Sequence, residues 1–411
     1  MTIVYLNPFG QMGGAEVALL NLLASVRRAR PRWKLHLVVS GDGPLATKAN
    51  NLGVTPHILP FPISLARLGD SSAGGPAGEG AGRLNLLRQL LFAISGIAVY
   101  ALRLRKLLRE INPDIVHSNG FKMHVLGAIA KQSSVPLIWH IHDYVHSRPL
   151  VTRVMKRFRR RCSFALANSS SVEQDLRTTF GQRFPVKTLY NVVDTMVFCP
   201  NGPSLDLDSL AGLPPADQNT VKIGMLATLA RWKGHETFLR AIAMLPPELD
   251  FRGYVIGGAL YQTNGSQYSI TELRALAEEL GISDRVGFID FVDEPATAMR
   301  SLDIVVHAST KPEPFGLVIA EAMACGRAVI ASEAGGVMEI IDAEVNALSH
   351  SPGDAARLAQ HLISLATNSE LRKKLGLAGR AVVQERFNRE RLVKDLAPIY
   401  SQLVKDRMAG K

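Results

Sequence analysis

The segment Ile304-Val-Val-His-Ala-Ser-Thr-Lys-Pro-Glu313-Pro-Phe-Gly-Leu-Val-Ile-Ala-Glu321-Ala-Met-Ala-Cys-Gly-Arg-Ala328-Val-Ile-Ala331 reads as strand, turn, helix and strand in one pass. Two short β-branched runs, 304–307 and 328–331, flank a helical stretch at 317–325, the signature of a parallel βαβ unit. Between strand and helix, Glu313 is clamped by two prolines, which fix the local φ and forbid a regular helix there. Gly316 then permits a tight turn. The N–H groups of Phe315, Gly316 and Leu317 would project from a helix N-terminus, where they favour anionic oxygens. Glu321 falls about one turn into that helix, placed to hydrogen-bond a ribose hydroxyl beside a diphosphate held at the same turn.

Working outward, the same alternation recurs twice. Strand candidates at 222–226, 253–256 and 286–289 precede the unit, with helical patterns at 236–244, 271–280 and 355–367. An earlier series has strand candidates at 3–6, 35–39, 115–117, 137–141 and 164–167. A Gly-rich segment at 69–82 interrupts it and reads as a loop. A helix at about 84–110 follows, with apolar positions over much of its circumference; burial is its plainer reading and membrane contact its sharper one. Residues 201–219 turn polar and rich in Pro, Gly and Asp, as a linker does. A chain of 411 residues exceeds what one core usually supports. The expected architecture is α/β, with two Rossmann-like domains facing each other across a cleft: 1–200, 201–385, and a C-terminal helix at 386–411 returning to the first.

Composition narrows the class. The apolar fraction is 47% and the charged fraction 20%, as in ordinary globular chains. Cys162, Cys199 and Cys325 are too dispersed for a disulfide framework and read as reduced thiols, and no His, Cys or carboxylate spacing proposes a metal. Between Arg88 and Arg103 lie 14 uncharged residues, short of the roughly 20 that a spanning helix needs. The N-terminus lacks the pattern of a signal peptide, so the expected location is cytoplasmic. The net charge of +11 is uneven, because residues 1–200 carry 25 Lys and Arg against 10 Asp and Glu. No basic motif interleaved with aromatics accompanies that excess, which argues against a nucleic-acid partner. An anionic acceptor or an acidic membrane surface fits it, and the enzyme is expected to sit peripherally at the inner face of the membrane.

Chemistry-bearing residues gather at strand ends. Arg231-Trp-Lys233-Gly follows the strand at 222–226, where a cation meets a diphosphate and the charge growing on a leaving group. Asn7-Pro-Phe-Gly-Gln-Met-Gly13-Gly14-Ala-Glu16 joins the first strand to its helix, and such glycines let backbone N–H groups approach a phosphate or sugar. Helix capping is the competing reading for Glu16. His140-Ile-His142-Asp143 ends another strand, at the edge where ligands of such sheets bind. For His117-Ser-Asn119 two readings stand, lining the acceptor side or serving as a satisfied structural histidine. No carboxylate pair is arranged as in glycoside hydrolases.

The stretch from Glu313 to Arg327 resembles the signature of glycosyltransferase family 4, the group 1 glycosyltransferases, which are retaining and have the GT-B fold. Asp303-Ile-Val-Val-His-Ala-Ser, Gly335-Gly336 with Glu339, and Pro352-Gly353-Asp354 extend the likeness over nearly the whole chain. The resemblance implies that Glu313 engages donor-sugar hydroxyls and Glu321 the nucleotide ribose. It implies that Lys233 meets the diphosphate, that Gly13 and Gly14 close over it, and that His142 and Asp143 form the active-site pair. The family's usual arginine is absent at Thr228, and Arg231 is the candidate substitute. The implied activity is metal-independent transfer, with no cofactor, from a UDP or GDP sugar to a glycan or lipid-linked acceptor in polysaccharide or glycolipid biosynthesis. Alternatives of the same fold are a sugar-nucleotide epimerase and a catalytically silent binding protein.

Overall fold

The computed structural model describes residues 1–62, 83–258 and 265–410; the Gly-rich segment at 69–82 lies outside them. Met1–Asn191 together with Arg389–Lys411 form one compact unit, and Val192–Asn388 a second.

The first unit holds a seven-stranded parallel sheet. Its strands are β1 (Thr2–Asn7), β2 (Lys34–Val39), β3 (Thr55–Ile58), β4 (Ile115–Asn119), β5 (Leu137–Ile141), β6 (Phe164–Ala167) and β7 (Val186–Thr188), in the order β3-β2-β1-β4-β5-β6-β7. Helices α1 (Gly14–Ala29), α2 (Pro44–Asn51), α3 (Arg83–Ile111), α4 (Phe121–Ala130), α5 (Pro149–Phe158) and α6 (Ser170–Phe180) connect them. Every residue of β4 and β5 is buried. A parallel sheet covered on both faces buries both sides of its inner strands, and here that includes the polar carboxyl end of β4, His117 to Asn119. Helix α3 buries Tyr100, Ala101, Leu104 and Leu108 at helical spacing, while Val99 and Leu102 stay open to solvent at 43% and 64%.

The second unit repeats the plan. Strands β8 (Val221–Leu226), β9 (Phe251–Ile256), β10 (Val286–Ile289), β11 (Ile304–His307), β12 (Ala328–Ser332) and β13 (Leu348–His350) run parallel in the order β10-β9-β8-β11-β12-β13. Its helices are α7 (Leu207–Ala211), α8 (His235–Ala243), α9 (Ile270–Glu279), α10 (Pro295–Arg300), α11 (Leu317–Ala324), α12 (Ala355–Thr367) and α13 (Ser369–Arg386). Helix α14 (Arg389–Met408) then belongs to the first unit, where it packs on α1. There Arg389 donates to Asn21 Oδ1 at 2.6 Å and Arg407 to the Pro113 carbonyl at 3.0 Å.

The stretch at 201–219 departs from the linker expectation. It contains α7, capped by Asp206, whose carboxylate accepts from Ser209 N at 3.1 Å. Asp208 is buried and accepts from Tyr254 Oη at 2.7 Å. The polar residues that suggested a solvated connector are a helix cap and a buried acceptor.

In both sheets the connections reverse direction beside the first strand, between β1 and β4 and between β8 and β11. Loops leave in opposite senses there and open a crevice at the strands' carboxyl ends. Gly234, with φ +82°, turns the chain from the β8 loop into α8 so closely that a Cβ would lie 1.8 Å from the Ala308 carbonyl oxygen. Gly212 is equally left-handed at φ +69°, but a Cβ there would meet nothing within 4 Å. Gly212→Ala should therefore cost only the left-handed strain, roughly 1–2 kcal/mol. Gly234→Ala should cost about 1–3 kcal/mol more, from the clash. Urea unfolding reads the difference, and equal midpoints would contradict the close approach.

Candidate active site

The reversal beside β8 assembles the first half of the site. Lys233 ends a short 3-10 turn, Arg231–Lys233, after β8, and Glu313 lies in the loop after β11. Though 80 residues apart in sequence, they meet: Lys233 Nζ is 2.9 Å from both Oε1 and Oε2 of Glu313. His307 Nε2 lies 3.2 Å from Glu313 Oε2, and the Ser309 hydroxyl donates to the same oxygen at 3.0 Å. The Glu313 backbone is pinned as well, since its carbonyl accepts from Gly336 N at 2.8 Å. Burial alone would raise the Glu313 pKa. The Lys233 charge and the His307 hydrogen bond override it and hold the carboxyl well below the usual range. The group is an anion whose Oε2 meets Lys233, His307 and Ser309, while Oε1 meets Lys233.

Beyond Glu313, Phe315 is buried against the Phe387 ring, 5.6 Å between centroids. Gly316, at φ 96°, forms the N-cap of α11, and no side chain caps that terminus. Its positive φ is one that side chains rarely adopt, so Gly316 makes the turn from which Leu317 starts the helix. Glu321 is buried in α11, and its carboxylate has no hydrogen-bond partner among the described residues. Burial pushes its pKa up to about 8. Two glutamates eight residues apart are thus opposites, one fully ion-paired and one desolvated and unsatisfied.

Arg231 goes elsewhere. Its guanidinium bonds Glu272 at 2.6 Å and the Gly265 carbonyl at 3.1 Å, and stacks 4.3 Å over the Tyr268 ring. Glu272 belongs to the capping box of α9. The structure brings Lys233 and Glu313 together and ties Arg231 to α9. His307 and Ser309, to which sequence reasoning gave no role, are Glu313's other partners. The alternation along β11 puts His307 at the strand's carboxyl edge, and that was the available signal.

The first unit supplies a second cluster. Gly13 is the N-cap of α1 and Gly14 its first residue, again with no side-chain cap. Glu16 is buried and accepts from Asn7 Nδ2 at 3.1 Å, and burial raises its pKa. His142 Nε2 lies 3.1 Å from Asn119 Oδ1, and burial lowers the imidazole to about 4, so it is neutral at pH 7. Asp143 turns away and pairs with Arg148 at 2.8 Å. His117 and Asn119 are wholly buried, and His117 Nδ1 is 2.6 Å from the Tyr400 hydroxyl. Among the described residues no group of three or more His, Cys, Asp or Glu is arranged to hold a metal.

The lone carboxyl predicts a pH dependence. Unfolded, Glu321 has an ordinary pKa of 4.5, whereas folding raises it to about 8. The folded state therefore binds the extra proton between those values, and stability falls as pH rises through that window. Relative to Glu321→Gln, the wild type should lose stability from about pH 4.5 to about pH 8, as read by urea midpoints. Parallel curves would mean that the carboxyl ionises unhindered.

Known proteins place this geometry. Residues 214–382 match the family described as Glycosyl transferases group 1, and residues 12–197 match Glycosyltransferase Family 4. The N-acetyl-alpha-D-glucosaminyl L-malate synthase of Bacillus anthracis is 24% identical over 319 residues, 76% of this chain and 80% of that protein. The D-inositol 3-phosphate glycosyltransferase of Mycobacterium sp. (strain KMS) is 28% identical over 395 residues, 88% of this chain and 81% of that one. Among solved structures, Anabaena HepE in complex with UDP and glucose superposes with a TM-score of 0.78 at 27% identity, covering 98% of this chain and 99% of that chain. With matches over both units and two parallel sheets of the same plan, the chain belongs to glycosyltransferase family 4, the group 1 glycosyltransferases, and is a glycosyltransferase of the GT-B fold.

Proposed function

We propose that this enzyme is a retaining, metal-independent glycosyltransferase whose donor is a nucleotide-diphosphate sugar held in the second unit. The observation that carries the reading is the half-buried Lys233–Glu313 pair beside the uncapped start of α11, with the buried Glu321 one turn further on. An ammonium has three N–H donors. Two face Glu313, and the third is available for a diphosphate oxygen. Leu317 and its neighbours add backbone N–H groups at a positive helix end. Glu321, with acceptor oxygens and no protein partner, suits a ribose hydroxyl. Anchored by Lys233, His307 and Ser309, Glu313 is set to receive sugar hydroxyls at fixed geometry.

The bond from the anomeric carbon to the diphosphate breaks while a bond to the acceptor oxygen forms on the same face. The acceptor's proton passes to the departing diphosphate, and Lys233 stabilises the charge that develops there. Solved complexes of Anabaena HepE, 26–27% identical, contain UDP, UDP-glucose, or UDP and glucose. They support UDP over GDP as the nucleotide. In the first unit, His142 and Asp143 act as the active-site pair, and Gly13 and Gly14 as donor-binding residues.

Glu321→Ala and Lys233→Met should each weaken UDP binding about tenfold to a hundredfold, the worth of one charge-assisted hydrogen bond. Glu313→Gln should instead lower turnover more than UDP affinity. Calorimetry and single-substrate kinetics separate the two, and transfer should persist in excess EDTA. Unchanged UDP affinity in both of the first variants would remove the donor assignment, and loss of activity on chelation the metal independence.

The acceptor is proposed to be lipid-linked or membrane-proximal, with the enzyme peripheral at an anionic cytoplasmic leaflet. Helix α5 and the 3-10 turn Arg159–Arg161 expose Arg153, Lys156, Arg157, Arg159, Arg160 and Arg161 together. Met155 is the buried anchor of α5, while Leu150 and Val154 are exposed at 66% and 45%. Among the described residues no helix is long and apolar enough to cross a membrane. Near anionic lipid each cation contributes about 1 kcal/mol, so the six suffice for reversible attachment. Co-sedimentation with anionic vesicles at low salt, abolished by high salt or by neutral lipid, is expected. Equal, negligible binding to both vesicle types at low salt would assign the charge to a soluble anionic acceptor.

A further inference from the structure

Helices α3, α4 and α5 lie side by side on the first sheet, with α4 in the middle. Each leads into a strand of the same parallel sheet, so the three run the same way. No residue of α4 is exposed, and α3 and α5 supply the open surface on either side of it. Both show solvent the same stripe. In α3 it reads Val99, Leu102, Lys106 and Arg109. In α5 and the 3-10 turn after it, the stripe is Leu150, Val154, Arg157 and Arg161. Residues three and four apart fall on one side of a helix. In each stripe two aliphatic side chains come first and two cations follow. Because the helices are parallel, both apolar ends stand toward one edge of the sheet and both basic ends toward the other.

The basic ends are joined across α4. Arg105 donates from α3 to the Ile129 carbonyl at 2.7 Å. Lys131, just past α4, donates to the Val135 carbonyl at 2.8 Å, and burial, together with the nearby Arg161 charge, lowers its pKa. Two clusters remote in sequence thus form one band. The band works against the fold, since Arg103 and Lys106, and Arg153 and Arg157, are like charges one turn apart. Among the described residues, none of the exposed cations of α3, α5 or the turn joins an ion pair. The helix dipole favours Arg109, Lys156 and Arg157 in the last turns. It gives no reason for leucine and valine to stand in water beside them.

Helices that lie in a membrane interface have this pattern, with apolar side chains at the acyl boundary and Lys and Arg reaching the headgroups. We infer that α3 and α5 form a single face that docks on an anionic bilayer. Val99, Leu102, Leu150 and Val154 enter the interface, and the basic band lies on the phosphates. The inference rests on the peripheral-membrane reading above and adds to it a second helix, an apolar component and an orientation. Helix α3 ends just before the amino end of β4, and Val99 lies about 18 Å back along it, toward the carboxyl edge. Leu150 follows two residues after Arg148, whose guanidinium bonds Asp143 at 2.8 Å. The end that enters lipid is therefore the end that carries the His142–Asp143 loop. An acceptor whose anchor stays in the bilayer arrives at that loop.

The test uses the full-length enzyme and vesicles of equal parts phosphatidylglycerol and phosphatidylcholine at low salt. Val99→Thr with Leu102→Gln should weaken co-sedimentation about tenfold, the worth of partly burying two aliphatic side chains. Arg103→Gln with Lys106→Gln should weaken it about thirtyfold, two headgroup cations' worth. Both double variants leave α5 intact. Every changed residue is exposed, so thermal midpoints should stay at the wild-type value. Leu102→Trp reads depth: its added fluorescence should be quenched by brominated acyl chains, and that of Leu377→Trp, exposed on α13, should not. Leu102→Trp also serves if the polar variants fold poorly. Wild-type binding that survives undiminished in both double variants, with Leu102→Trp unquenched, would overturn the inference and leave attachment to α5 alone. A wild type that ignores these vesicles would remove the peripheral reading together with it. Binding to heparin instead would then assign the band to a soluble polyanion.

Discussion

A lysine and a glutamate, brought from loops 80 residues apart and largely withdrawn from water, hold two loops of the second unit to each other. Withdrawing two charges from water is costly, and their attraction offsets the cost only when the geometry is good and remaining lone pairs are satisfied. Both conditions hold at Lys233 and Glu313, because His307 and Ser309 complete the carboxylate's shell. The pair also latches the loop after β8 to the loop after β11, the strands between which a sheet of this order opens. Glu321 needs the opposite treatment. It is buried on a helix that begins at an uncapped glycine, with no carboxylate hydrogen bond among the described residues. Two side chains of the same type thus stand in opposite environments.

Much of this was legible in the sequence, for a physical reason. Inner strands of a parallel sheet are buried on both faces, so β1, β5, β9 and β11 announce themselves as apolar runs of strand length. Three of the four outer strands do not, β10 being the exception. β3 reads Thr-Pro-His-Ile and β7 and β13 have three residues each, too short for any periodicity to register. Glu313 and Lys233 were visible through their neighbours, since prolines and glycines restrict the backbone whatever surrounds them. Arg231 was visible as a cation, but its direction depends on Glu272 and Tyr268, 37 to 41 residues away. Tyr400 gave no sign at all. A tyrosine in an amphipathic helix is ordinarily core, and only the fold brings its hydroxyl to His117.

The first unit places its charge and its polarity in separate regions. A cluster of cations lies outward on α5 and the turn after it, while His117 of β4 and His140 of β5 lie inward, where burial lowers their pKa values. A chain with so strong a positive balance would disfavour protonated imidazoles in any case. Burial makes that preference decisive at His142, which stays uncharged throughout the physiological range.

The return of α14 to the first unit has a consequence for how the molecule is made. The second unit is one uninterrupted length of chain, whereas the first is completed only by residues that follow it. During synthesis, the part of the first unit that α14 covers must wait open while nearly two hundred residues are added. Asn21, His117 and Pro113 find Arg389, Tyr400 and Arg407 only at the end. A chain ending before residue 389 would join a complete second unit to a first unit with an exposed polar face.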